Sequence, residues 1–98
     1  EKYMKIEAPT KAIKELCLQL GSDYGIKVVD RENVIYRNLG NGYDIEVSRL
    51  DTNRSRMNAT IYVWKTESSQ IVDIIKNINS FEKLKQTLSE VSTRYLSL

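Results

Sequence analysis

An α+β fold is predicted by three features of this 98-residue sequence. An amphipathic stripe at helical spacing opens the chain. Two strand-like segments, the second of them alternating, flank a glycine-rich turn in the middle, and apolar residues at spacings of three and four fill the last third. The predicted order is α-β(β)ββ-α-α: an N-terminal helix, an antiparallel three- to four-stranded meander and two C-terminal helices, with the helices packed on one sheet face. Residues 1–98 form one domain by length.

The first helix spans about residues 10–20. Pro9 sits where a helix can begin, and Thr10 is a suitable N-cap. Ile13, Leu16, Cys17 and Leu20 then fall at i, i+3, i+4 and i+7, the buried stripe of an amphipathic helix. Gly21 follows as the stop. A short strand at 26–29 precedes polar turn residues at 30–33, and strands at 34–39 and 43–50 flank Gly40-Asn41-Gly42. Two glycines around an asparagine supply the positive φ angles of a tight hairpin. Tyr43, Ile45 and Val47 alternate with Asp44, Glu46 and Ser48, the period of a strand with one covered face. In a further strand at 59–65, Ala59, Ile61 and Val63 point one way, and Thr60, Tyr62 and Trp64 the other.

Beyond residue 66 the spacing reads as helix. Ile71, Ile74, Ile75 and Ile78 form one stripe; Phe81, Leu84, Leu88, Val91 and Tyr95 form another. Two steps of three at 78, 81 and 84 would carry the stripe off the core of a straight helix. Ser80 is a good N-cap at that junction. The expectation is two helices, about 67–78 and 81–96, with one long bent helix as the alternative. Three helices exceed what one sheet face needs, so Phe81, Leu84, Leu88, Val91 and Tyr95 are the expected seam of a homodimer, with the free sheet face as the other place for one.

The chemistry-bearing residues are few. The chain has no histidine, which removes the commonest general base, the Ser-His and Cys-His pairs and the usual zinc sites. Cys17, the one cysteine, lies in an apolar stripe and reads as a buried small hydrophobe. Asp44 and Glu46 share a strand face without calcium-loop spacing, and read as a solvated face. Leu39-Gly-Asn-Gly-Tyr43 joins two strands, so it is a hairpin turn and not a phosphate loop. No catalytic residue, metal or cofactor is expected, and the chain reads as non-enzymatic. No apolar run approaches the ~20 residues of a membrane span. A single cysteine excludes an internal disulfide, which suits a cytoplasmic setting.

Two features exceed what a plain scaffold needs. Arg49, Arg54 and Arg56 surround a polar loop, and Arg makes bidentate contacts with carboxylate or phosphate. Tyr62 and Trp64 oppose the core-facing side of their strand, with Tyr36 on a neighbouring one. Aromatics and arginine are enriched at binding hot spots. These six residues are the expected partner-binding set.

The α-β-β-β-α order is similar at the level of topology to the double-stranded RNA-binding domain. That family grips phosphates with a lysine cluster at the start of its last helix. Here the position reads Thr66-Glu-Ser-Ser-Gln-Ile-Val-Asp73, with two acids and no base, so the family is not assigned. With a net charge of only +2, a protein partner is favoured and nucleic acid is the alternative. The expected function is that of a small protein-interaction or inhibitor protein of bacterial or phage origin, for example an inhibitor of a host nuclease.

Overall fold

A computed structural model describes residues 8–50 and 57–98. The fold is α+β: α1 (Lys11–Leu20), β1 (Gly25–Val29), β2 (Glu32–Asn38), β3 (Tyr43–Ser48), β4 (Ala59–Lys65), β5 (Gln70–Ile78) and α2 (Phe81–Leu96). The strands form one antiparallel sheet in the order β1-β2-β3-β4-β5. None of the described helices is long and apolar enough to cross a membrane.

Local chemistry sets the helix ends. The Thr10 hydroxyl accepts from the Ile13 N–H at 3.2 Å, and Gly21, at φ 111°, closes α1 through its N–H to the carbonyls of Cys17 and Leu18. The Ser80 hydroxyl accepts from the Lys83 N–H at 3.1 Å and fixes the start of α2. Hairpin chemistry sets the strand ends. Asp30 and Arg31 both take positive φ in a two-residue turn between Val29 and Glu32. Gly40 and Gly42 do the same between β2 and β3.

The C-terminal third differs from expectation in one element. Residues 70–78 are a strand, neither a separate helix nor part of a bent one, so among the described residues the sheet has five strands and one helix follows it. The topological likeness to the RNA-binding domain ends there.

The physical reason is two bulges that imitate helical spacing. Val63 pairs with Asp73 but the next residue, Trp64, pairs with Ile71; Ile61 pairs with Ile75 but Ala59 with Ile78. Each shift inserts one extra residue into β5, and Asn77 takes φ 61° at the second. The residues paired on the covered face are therefore Asp73, Ile75 and Ile78, and those on the other face are Ile71 and Ile74. The stripe 71, 74, 75, 78 is divided between two faces. The run is also rich in β-branched residues, which lie well on a pleated surface.

Both helices cover the face that carries Ile35, Ile45, Val47, Ala59, Ile61, Val63 and Ile78, and these pack with Ile13 and Cys17 of α1 and Leu84, Leu88 and Val91 of α2 in one core. This places Leu84, Leu88 and Val91 of the expected dimer seam in the chain's own core, where they are 0–2% exposed. The Tyr95 hydroxyl donates to Asp73 at 3.1 Å and its ring lies 5.1 Å from that of Tyr43. With β5 in the sheet there is no surplus helix, and α2 is needed to cover it. Burial raises the Cys17 thiol pKa, and its Sγ donates to the Tyr24 carbonyl at 3.5 Å, so it is a core residue.

Candidate functional site on the outer sheet face

Strand alternation and register bring the site together on the sheet face opposite the helices. Across the strands, Tyr36 stands beside Glu46, Glu46 beside Tyr62 and Tyr62 beside Ile74. One step along, Asn38, Asp44, Trp64 and Ile71 form a second row. The face is not uniform. At one end Val34, Ser48 and Thr60 are buried, whereas Ile71, Val72 and Ile74 of β5 are 39%, 37% and 45% exposed.

The aromatic residues have specific neighbours. The rings of Tyr62 and Trp64, two residues apart on one strand face, lie 6.3 Å apart at 40°. The Lys27 ammonium sits 4.7 Å over the Tyr36 ring. Gly25 stands opposite Tyr36, and a Cβ there would come within 3.1 Å of the ring, so the glycine lets Tyr36 lie across β1.

Glu46 is the polar centre. Only 8% exposed, its carboxyl is pushed above the ordinary carboxylate range, chiefly by burial. Lys27 opposes that shift, while Glu32 and Asp30 add to it. The Trp64 indole also favours the ionised form. Among the described residues its buried Nε1 has no partner at ordinary hydrogen-bond geometry. Two shallow hollows flank this pair. One, of about 280 Å³, includes Lys27, Tyr36, Asp44 and Lys65 in its lining; the other, of about 220 Å³, includes Asp30, Glu32, Arg49 and Tyr62; Glu46 and Trp64 line both.

Of the residues expected from sequence, Tyr36, Tyr62, Trp64 and Arg49 are placed on or beside this face. Arg49 takes φ 64°, donates its backbone N–H to the Glu32 carboxylate and borders the second hollow. Arg54 and Arg56 lie outside the described residues. Glu46 differs from its expected place on a solvated strand: it is buried, with Tyr36 and Tyr62 beside it on the flanking strands. Ile71 and Ile74 were hidden by their apparent helical stripe. Their β-branched composition, after the turn-forming Glu67-Ser-Ser69, is the signal that identifies them. The face offers aromatic and aliphatic contact area, a few fixed charges and a buried carboxylate. Among the described residues, no three of the Asp, Glu and Cys side chains converge in a way that could hold a metal ion. Comparison with known protein families, with curated proteins and with solved structures finds no match to this chain.

Proposed function

We propose that this chain is a non-enzymatic binding module that docks a protein on its outer sheet face. One observation carries this reading: the strip Tyr62, Trp64, Ile71 and Ile74, where exposed aliphatic side chains adjoin an aromatic pair. Large apolar side chains grouped on a surface and bordered by charges are characteristic of protein interfaces. Trp and Tyr are the side chains that most often anchor them. Two bulges along β5 interrupt the hydrogen-bonding pattern of that edge, which disfavours strand addition and leaves the face as the docking element. Asp44 and Glu46 stand with Lys27 and Lys65 on the same surface, so the face has no basic excess with which to bind a phosphate backbone, and a protein is favoured over nucleic acid. A small accessory or inhibitor protein fits this arrangement.

The test is affinity capture from source-cell lysate, comparing the wild-type chain with Trp64→Ala and Ile74→Lys. One protein should be retained by the wild type and lost with both variants, while circular dichroism shows that both remain folded. Equal capture by folded variants would reject this face. A shift of single-stranded or duplex oligonucleotides at low salt, abolished by Trp64→Ala, would replace the protein reading with the nucleic-acid one.

A further inference from the structure

On the other side of the molecule, a cleft of about 370 Å³ lies between α1 with its following turn and α2. Its floor is Arg37. Pairing with Ile45 places Arg37 on the helix-covered face of β2, where its side chain is only 21% exposed. The guanidinium is held in position, 5.6 Å over the Tyr24 ring and with Nη1 donating to the Ser92 hydroxyl at 3.3 Å.

Its charge is poorly matched. The facing carboxylate, Asp23, is 71% exposed and stands 3.7 Å from Nη2, beyond hydrogen-bond distance. A charge-assisted guanidinium–carboxylate hydrogen bond closes to about 2.7–2.9 Å, commonly through two bonds. Lys85, Ser89 and Thr93 line the same cleft from α2, and Leu20 and Leu96 give it apolar walls. A half-buried, preoriented guanidinium among hydroxyls, an ammonium and leucines has the chemistry to receive an anionic head on an apolar body.

We propose that this cleft binds a small organic anion, its phosphate or carboxylate group on the Arg37 guanidinium in place of Asp23 and its apolar part against Leu20 and Leu96. Asp23 is then a displaceable stand-in for the ligand. That gives the site a sign-specific signature: removing the Asp23 charge strengthens binding, whereas a purely structural ion pair offers nothing to strengthen. The site is independent of the outer face, on which Trp64 lies.

The experiment titrates the isotopically labelled chain with phenyl phosphate, benzoate and inorganic phosphate at constant ionic strength, followed by NMR. The two aromatic anions should shift the resonances of Tyr24, Arg37, Ser89 and Thr93 and leave the Trp64 indole resonance in place, with inorganic phosphate binding more weakly. Asp23→Asn, at an exposed position, should tighten binding several-fold. Arg37→Gln should weaken it at least roughly tenfold, as expected for loss of a charge-assisted contact. The proposal is overturned if no probe moves the cleft resonances, if Asp23→Asn leaves affinity unchanged or lowers it, or if a folded Arg37→Gln variant binds as well as the wild type.

Discussion

Ile74 and Ile75 are neighbours in sequence and lie on opposite faces of the sheet: Ile75 pairs with Ile61 on the helix-covered face, and Ile74 pairs with Tyr62 on the outer face. A helix would place both in one buried stripe, so a matched pair of substitutions separates the two architectures. Ile74→Lys, at a position 45% exposed, should change stability by no more than about 0.5 kcal/mol. Ile75→Lys puts an ammonium against the core and should cost about 2 kcal/mol or more. Urea denaturation followed by circular dichroism reads both, and equal losses would contradict the strand.

The second bulge depends on Asn77, whose φ of 61° suits glycine and asparagine but not a branched side chain. Asn77→Val should destabilise the fold by about 1–2 kcal/mol, while Asn77→Gly should stay close to the wild type. Thermal midpoints of the two variants check this. If valine were tolerated as well as glycine, the bulge would not be where the pairing places it.

Ser80 separates β5 from α2. Its hydroxyl accepts from the Lys83 N–H, and without it that donor at the helix start loses its partner. Ser80→Ala should cost about 1 kcal/mol and Ser80→Asp should recover most of it. Chemical denaturation of the three proteins gives the comparison, and an unchanged midpoint for Ser80→Ala would show that the cap contributes nothing.

Glu46 makes stability depend on pH in a direction unusual for a carboxylate. Its folded pKa is raised from the reference of 4.5, first by burial. As pH rises above about 4.5 the unfolded chain gives up this proton while the folded chain still holds it. The unfolded state then binds fewer protons, so the contribution to stability falls until the folded pKa is passed and stays constant above it. Glu46→Gln removes that loss. The variant should match the wild type at low pH and become the more stable of the two as pH rises to neutrality. Denaturation midpoints against pH test this, and a constant gap between the proteins would mean that ionisation of Glu46 is not opposed by folding.

What the sequence by itself determined is what adjacent residues decide together. Thr10 and Ser80 cap their helices, Gly40 and Gly42 make a hairpin, and the alternation along β3 and β4 assigns Ile45, Val47, Ile61 and Val63 to the core and Tyr62 and Trp64 to the other face. Those are short-range effects of capping, φ preference and a period of two. The tertiary structure alone decided the rest. Two bulges in β5 give a strand the spacing of a helix, and they exist because β4 offers a register in which Ile75 and Ile78 reach the core. The same pairing gave α2 a sheet to cover, which turned the Leu84, Leu88 and Val91 stripe from an expected dimer seam into core. It also assembled both candidate sites, since Glu46 is buried and Arg37 preoriented only by side chains far away in the chain, reaching them through strand pairing and helix packing.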